Sequence, residues 1–431
     1  MARGDGPALN PGREAVAAVW RIESARIVGA LARYTGDFAL AEDLAQEALA
    51  EALVSWPRDG VPRNPAGWLL TTGRRRAIDA FRRRSARDER YAALAHGLAE
   101  GGVVTGAADP VEVTDDVLWD PDQIDDDVLA LMFTACHPVL SPEAQVALTL
   151  RVVGGLTSDE IAKAFLVPTA TVQARITRAK KTLGAARVPF ALPPADERRT
   201  RLGSVLSVVY LIFTEGSSAS SGDDLIRLDL AAEAQRLARV LARLVPAEPE
   251  VHGLLALLEL TAARFPARTG PDGEPVLLED QDRRRWDRSA IARGRAALVR
   301  AGQVGTGLGA YGVQAAIAEC HAVAASVADT DWDRVVVLYE ALGRLAPSPV
   351  VELNRAVAVS MAQGPAAALV IVDGLADDAL AGSHLLPTVR GELLRRLGRT
   401  DDARTELQRA VSLCANARER TVLEGKLAEL G

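Results

Sequence analysis

Apolar residues recur at every third or fourth position along most of the chain, and this spacing predicts α-helices. The stretch 41–53, AEDLAQEALAEAL, is typical, with an apolar face formed by Leu44, Ala45, Ala48, Leu49, Ala52 and Leu53. Asp43, Gln46 and Glu47 share the opposite, polar face, and Glu42 lies nearby. Aromatic residues are only 4% of the chain, whereas Ala, Leu and Arg are abundant, which favours helix over strand. We therefore expect an all-α protein.

Composition also indicates the compartment. No apolar run reaches the roughly 18 uncharged residues that a membrane span needs. The N-terminal residues lack the basic-then-apolar pattern of a signal peptide. The three cysteines, Cys136, Cys320 and Cys414, are far apart and odd in number, which argues against a disulfide framework. We expect a cytoplasmic protein that does not contact a membrane.

The net charge of -7 is unevenly distributed. Residues 61–90 carry nine arginines against three acids, residues 98–127 carry ten acids and no base, and residues 168–187 carry five bases and no acid. Two basic segments separated by an acidic one suit a protein that touches a polyanion at two places. Either basic segment alone could be a solvated helix face.

The first basic segment lies in a helical region that follows SWPRDGVPRNP, a predicted loop of about ten residues with three prolines and a glycine. Asn64 is predicted to cap the next helix, with Pro65 as its first residue. This helix, NPAGWLLTTGRRRAIDAFRRR, is expected to bury Trp68, Leu69, Ala77, Ile78 and Phe81. Most of its arginines must be exposed, because a core cannot hold so many charges: Arg74, Arg75, Arg76, Arg82, Arg83 and Arg84.

The second basic segment contains SDEIAKAFLVPTATVQARITRAKK, residues 158–181, which fits a helix-turn-helix. Three helices are predicted, the first capped by Ser141 and ended by Gly154-Gly155, the second capped by Thr157 or Ser158, and the third starting at Pro168-Thr169. In the third, Val172, Ile176 and Leu183 should face the domain. A recognition helix presents N-terminal side chains to base edges and flanking cations to phosphates. A generic helical hairpin fits the same spacing.

Three segments resemble the two domains of a bacterial sigma-70 family factor of the extracytoplasmic-function (ECF) group. In chain order they are AEDLAQEALAEAL, NPAGWLLTTGRRRAIDAFRRR and LSPEAQVALTLRVVGGLTSDEIAKAFLVPTATVQARITRAKKTL. The resemblance covers residues 14 to about 187. It implies a sigma region 2 domain over 13–92, an acidic linker over 93–127 and a sigma region 4 helix-turn-helix domain over 128–187. It also implies a promoter-specificity factor for RNA polymerase rather than an enzyme.

The resemblance assigns roles to three groups of residues. The face that binds the β′ clamp helices of core RNA polymerase is matched by Glu42, Asp43, Gln46 and Glu47. The segment that holds promoter DNA at the -10 element is matched by Asn64, Trp68, Arg74, Arg75, Arg76, Arg82, Arg83 and Arg84. The reader of the -35 element is matched by Thr169, Thr171, Gln173, Arg175 and Arg178, with Lys180 and Lys181 on phosphates. Arg75 departs from the family, which usually has Asn at this position.

The remaining residues, 195–431, are predicted to form a helical extension. Gly364 lies 34 residues before Gly398, which is the period of a tetratricopeptide (TPR) repeat, although a plain helical bundle is an alternative. Gly216–Gly222 is expected to be a flexible connector, with Asp223-Asp224 capping the next helix. YLIFTEGSSASSGDDLIRLDL is similar to a segment of one ECF subgroup with a TPR-like C-terminal extension. This similarity implies an extension that regulates or supports sigma activity and binds a protein or peptide partner.

No cofactor or metal site is expected. The pairs Cys136-His137 and Cys320-His321 are adjacent in sequence, and adjacent helical residues point to different faces. Asp115 to Asp127 could hold a cation, but a solvated linker, or one that mimics nucleic acid, fits better. The alternative to a sigma factor is a stand-alone helix-turn-helix regulator with a ligand- or peptide-binding repeat domain; an enzyme in the C-terminal half is a more distant one.

Overall fold

The computed structural model describes residues 11–96, 121–165, 167–217, 227–270, 274, 276–375, 380 and 382–430. Within these residues the regular elements are helices and no β-strand occurs, which confirms the all-α fold. The chain divides into two compact units, Met1–Val208 and Val209–Gly431. Each unit has its own core.

The first unit contains helices α1 to α7 and the first half of α8. Their bounds are α1 Pro11–Thr35, α2 Phe38–Asp59, α3 Pro65–His96, α4 Pro121–Ala135, α5 Pro142–Val152, α6 Ser158–Phe165, α7 Thr169–Ala185 and α8 Ala195–Ser217. Helix α1 packs against α2, α3 and α4, whereas α5, α6 and α7 pack against one another. Because α1 also touches α5 and α2 touches α7, the two predicted domains form one compact unit.

Helix α2 is longer than predicted. It continues to Asp59 with Pro57 inside its last turn, so that only residues 60–64 separate it from α3, instead of about ten. Trp56 is buried, and its ring meets the ring of Trp68 edge-on at 5.6 Å, which holds this last turn against α3. Gly60, at φ 89°, ends the helix. The prediction for Leu53 was wrong, because its side chain is exposed.

The helix-turn-helix has the predicted boundaries and caps. Ser141 Oγ accepts a hydrogen bond from the amide of Ala144. Thr157 and Glu160 form a reciprocal capping box, in which each side chain accepts the other's backbone N–H. Gly155, at φ 68°, lies in the turn before α6, and Pro168 precedes α7.

The acidic segment ends differently from the prediction. Its central residues, 97–120, including Asp115, lie outside the described residues, but residues 121–127 already belong to α4. Asp127 is buried rather than solvated, and its carboxylate is 3.0 Å from the guanidinium of Arg33 on α1. Burial raises the pKa of Asp127 and Arg33 only partly offsets this effect. The predicted linker therefore begins to pack on α1 before it ends.

In its described residues the second unit contains the rest of α8 and ten further α-helices. These are α9 Leu228–Leu244, α10 Pro249–Ala262, α11 Arg288–Val304, α12 Ala310–Val323, α13 Trp332–Leu345, α14 Pro349–Ala362, α15 Pro365–Asp373, α16 Leu385–Arg396, α17 Thr400–Leu413 and α18 Ala417–Ala428. From α9 onward most helices pack on their neighbours in sequence, as helical repeats do, whereas α12 packs mainly on α10. Gly364 and Gly398 both have positive φ, 97° and 74°, and each comes just before a helix.

The extension begins differently from the prediction. The first unit ends at Val208 rather than near residue 195, because Arg201 on α8 donates to the carbonyl of Phe133 and Leu202 and Val205 are buried. Gly216 and Ser217 belong to α8, whereas 218–226, with Asp223-Asp224, lie outside the described residues. A Cβ on Gly216 would lie 2.5 Å from the backbone nitrogen of Ala231, so this position needs glycine for close packing on α9.

Candidate nucleic-acid interface

Helix α7 places an apolar stripe inward and leaves its polar side chains outward. Val172, Ile176 and Leu183 are buried as predicted, together with Ala179. Gln173, Arg178 and Lys181 are exposed, and Thr169, Thr171 and Arg175 are partly exposed. Thr169 Oγ1 donates to Asp159 Oδ1 at 2.8 Å, and Arg178 Nε donates to the carbonyl of Ala174 at 3.2 Å. Most of the predicted -35 set therefore lies outside the buried stripe of α7.

The arginines of α3 fall into two groups. Arg75, Arg82, Arg83 and Arg84 are exposed. Arg76 is held by Glu47 and Glu51 of α2, each at 2.7 Å, and the Arg74 guanidinium lies 5.4 Å from the centre of the Tyr34 ring. The exposed group is available to a polyanion, whereas Arg74 and Arg76 join α3 to its neighbours.

Asn64 and Trp68 lie at the start of α3. Asn64 is exposed and its Oδ1 accepts the amide of Gly67 at 3.0 Å, so it is the predicted N-cap. Trp68 is only partly buried, as are Ile78 and Phe81, whereas Leu69 and Ala77 are fully buried. The indole of Trp68 therefore packs on Trp56 and still reaches the surface.

The acidic side of α2 is divided between solvent and protein. The side chains of Asp43 and Glu47 are 65% and 54% exposed, and Gln46 is partly exposed. Glu42 differs from the expectation of an open polar face, because the residue is only 2% exposed. Its carboxylate accepts hydrogen bonds from Arg151 of α5 and Lys180 of α7.

Lys180 therefore contacts α2 instead of standing free for a phosphate. Its ammonium contacts Glu42 and lies 2.7 Å from Asp43 Oδ1. Burial lowers the pKa of Lys180, but Glu42 and Asp43 outweigh burial, and the pKa lies above the ordinary value for lysine. Residues assigned to DNA and to polymerase are thus partners of each other. Arg151, which also donates to Glu42, was not predicted from the sequence, because a single arginine at a helix end is not part of any recognisable sequence pattern.

Candidate metal ligands form one group within the described part of the chain. The ligand atoms of His384, Cys414 and Glu419 lie within 4.8 Å of one another. His384 already faces Glu419 at 3.5 Å, and the Cys414 thiol donates to the carbonyl of Asn416. The group is consistent with an ordinary cluster of polar contacts. Cys136, Cys320 and Cys414 are all free and buried.

Comparison with known proteins assigns both parts of the first unit. The sigma-70 region 2 family matches residues 21–87, which include the acidic side of α2 and the arginines of α3. The sigma-70 region 4 family matches residues 130–183, which include the helix-turn-helix. The chain belongs to the sigma-70 family. One relative of this chain is a protein of Mycobacterium tuberculosis (strain CDC 1551 / Oshkosh) named "Probable ECF RNA polymerase sigma factor SigI". It is 28% identical over 215 residues, 49% of this chain and 66% of its own.

The extension of this sigma factor matches a second family. Residues 201–302 match a "Family of unknown function (DUF6596)". An uncharacterized protein of Rhizobium meliloti (strain 1021) is 44% identical over 403 residues, 94% of this chain and 93% of its own, so the extension is shared with at least one relative. The sigma-70 family comprises transcription initiation factors rather than enzymes. No helix among the described residues is long and apolar enough to span a membrane.

Proposed function

We propose that this sigma factor binds core RNA polymerase through the acidic side of α2 and directs it to promoters through α3 and α7. The observation that supports this division is the placement of three separate polar surfaces on helices that bury their opposite faces. Asp43 and Glu47 offer accessible carboxylates to a basic partner helix, which is what the β′ clamp helices of the polymerase would supply.

Contact with the -10 element is assigned to α3. Arg82, Arg83 and Arg84 are exposed on successive positions, and this concentration of positive charge can hold the phosphates of a melted strand. Trp68 has an aromatic face near the surface at the start of the same helix, where an unstacked base can pack.

Contact with the -35 element is assigned to α7. Gln173 and Arg178 are exposed and can reach base edges in the major groove, while Lys181 can reach phosphate. Among the described residues, Arg178 bonds only a carbonyl of its own helix, an interaction that a guanine can replace at little cost. This sigma factor would then read promoters with the surface that a helix-turn-helix ordinarily uses.

Polymerase binding must also separate α7 from α2. Lys180 cannot hold a DNA phosphate while it contacts Glu42, and Asp43 cannot serve a basic partner fully while it faces Lys180. The Asp43 side chain is 65% exposed, although that of Lys180 is only 16% exposed, so a basic polymerase helix can reach the Asp43 carboxylate and compete with Lys180 for it. We expect the described arrangement to be that of the free factor.

The second unit is proposed to regulate or support this activity. Most of its helices pack on their neighbours in sequence, which is compatible with TPR-like repeats, whose concave surfaces bind proteins or peptides. A protein or peptide partner of this unit is therefore part of the proposal.

The proposal is tested with purified full-length protein and the core polymerase of its host. Binding is measured by co-migration in native gels, and promoter-directed initiation by run-off transcription from a pooled library of genomic fragments. Failure to bind core polymerase would refute the assigned function. A chain that ends after α8, at Ser217, with folding checked by circular dichroism, tests the extension. Equal promoter output from this chain and from the full chain would remove the regulatory role.

A further inference from the structure

A cavity of about 350 Å³ lies within the second unit, among the end of α8 and helices α10, α12, α13 and α14. Helices α10 and α12 come close together beside it, because Gly253 and Gly312 face each other, and a Cβ on Gly253 would lie 2.6 Å from the Gly312 nitrogen. The lining consists of Tyr210, Leu257, Leu260, Thr261, Arg264, Gln314, Ile317, Ala318, His321, Tyr339, Leu342, Val350, Val351 and Asn354.

The lining has a definite chemical character. It contains no carboxylate, and its polar groups are one guanidinium, one imidazole, two phenols, two amides and one hydroxyl. Leucine, isoleucine and valine side chains form the other walls. A volume of this size is in the range of small-molecule sites, which run from about 300 to 1,000 Å³. The cavity therefore suits a ligand with an apolar body and a few polar atoms.

Arg264 supplies the positive charge. Its Nε is buried with no hydrogen-bond partner, and no carboxylate among the described residues lies within ion-pair distance of its guanidinium. Its aromatic neighbour is Trp286, whose ring centre is 6.0 Å away. Arg264 as a residue is partly buried, and a cation withdrawn from solvent without an acidic partner is costly, so its retention needs a reason.

Two further arginines increase the positive potential near Arg264. Arg268 donates to the carbonyl of Ser217, and Arg283 donates to the carbonyls of His321 and Ala324. Carbonyls position these side chains without neutralising them. Burial, then Arg268 and Arg283, lower the pKa of Arg264 to about 10, so it remains charged at neutral pH.

His321 adds a neutral donor or acceptor. Its Nδ1 is buried without a hydrogen-bond partner, and its ring meets the ring of Trp332 edge-on at 5.2 Å. Burial, then Arg264 and Arg283, lower its pKa to about 4. Arg264 and His321 both line the cavity, and each thus carries one buried nitrogen, Nε and Nδ1 respectively, that has no hydrogen-bond partner.

We propose that this cavity binds a small organic anion, with its oxyanion at Arg264 and its apolar body against Leu257, Leu260 and Ile317. Arginine bonds carboxylates and phosphates with two parallel N–H donors, and both ligand classes share the oxyanion that this site requires. The amides of Gln314 and Asn354 and the phenols of Tyr210 and Tyr339 can orient the body. The proposal concerns binding alone and does not depend on promoter recognition.

The test uses the full-length protein and four probes in isothermal titration and thermal unfolding. Benzoate and phenyl phosphate carry the two candidate oxyanions on one body, benzamide is the uncharged counterpart of benzoate, and inorganic phosphate lacks the apolar body. We expect benzoate or phenyl phosphate to bind and to raise Tm, and benzamide to bind at least about tenfold more weakly. The better of the two anions identifies the ligand class.

Variants locate the binding. Arg264→Gln should weaken binding of the preferred anion by about tenfold or more, whereas Arg300→Gln, at an exposed arginine of α11, should leave it unchanged. Ala318→Phe should fill the cavity and abolish binding while unfolding remains cooperative. Equal binding of benzamide, unchanged binding by Arg264→Gln or Ala318→Phe, binding of inorganic phosphate alone, or no binding of any probe would each overturn the proposal.

Discussion

The ammonium of Lys180 on α7 lies 2.7 Å from Oδ1 of Asp43 on α2, although 137 residues separate them in the sequence. Lys180 belongs to the region 4 helix assigned to promoter DNA, and Asp43 to the region 2 side assigned to polymerase. This pair, with Glu42 and Arg151, connects the two DNA-binding domains directly. The proposed separation of α7 from α2 would break this pair, and it can therefore be measured as a change in the distance between the two helices.

Lys180→Gln should release α7 from α2, because glutamine has a shorter side chain and lacks the charge that faces Glu42. We expect a loss of about 1–3 kcal/mol in unfolding free energy, since Arg151 still serves the buried Glu42 carboxylate. Spin labels at Val54→Cys and Thr177→Cys, both exposed, would report a longer and broader distance. Lys181→Gln is the matched control, and the same distance in wild type and Lys180→Gln would contradict the role of the pair.

Arg175→Ala and Arg178→Ala should weaken recognition of the -35 element. Each lost base or phosphate contact is worth about 1–3 kcal/mol, so promoter binding by the holoenzyme should fall roughly tenfold. Gel-shift titration with promoter DNA measures this effect, and co-migration with core polymerase should stay normal. If core binding is also lost, α7 has another role or the variants are misfolded.

Glu259→Gln should destabilise the second unit. The Glu259 residue is 1% exposed, and its carboxylate is shared by Arg239 and Arg293. Because both arginines reach solvent and can be rehydrated, we expect a loss of about 1–3 kcal/mol rather than the larger cost of a fully buried triad. Urea unfolding measures the loss. Glu340→Gln, at an exposed position of α13, is the control and should change the midpoint little.

His321 should titrate far below an ordinary histidine. Burial and the charges of Arg264 and Arg283 lower its pKa from 6.5 to about 4, so folding favours the neutral ring. The stabilisation that the neutral His321 ring contributes to the folded state is complete above about pH 6.5 and is lost as the pH falls toward 4. The NMR signal of the ring, assigned by its absence in His321→Gln, should have a midpoint near 4.

The change in unfolding free energy with pH provides a second measurement of the low pKa of His321. Between pH 7.5 and 5 the wild type should lose more unfolding free energy than His321→Gln, because only the wild type must keep this ring neutral. A midpoint near 6.5, with equal losses in both proteins, would show that His321 is solvated and would remove one wall of the proposed anion site.

Local sequence predicted the features that depend on neighbouring residues. The caps at Asn64, Ser141 and Thr157 were correct, because each side chain bonds an amide three residues later in the chain. The buried stripe of α7 was correct for the same reason, since helical spacing alone decides which side chains share a face. The resemblance to a sigma factor was inferred from segments of α2, α3 and α5 to α7, and matches to the sigma-70 region 2 and region 4 families confirmed it.

Tertiary structure decided the features that depend on distant partners. Trp56 lies inside α2, despite the following proline, because its ring packs on Trp68. Glu42 is buried because Arg151 and Lys180 meet it, and Asp127 because Arg33 does, from 94 to 138 residues away. The spacing of residues within one helix gives no information about such pairs. The sequence alone therefore determined the helices and the family, whereas packing between distant helices decided which charges are paired, which remain exposed, and that Arg264 is left without an acidic partner.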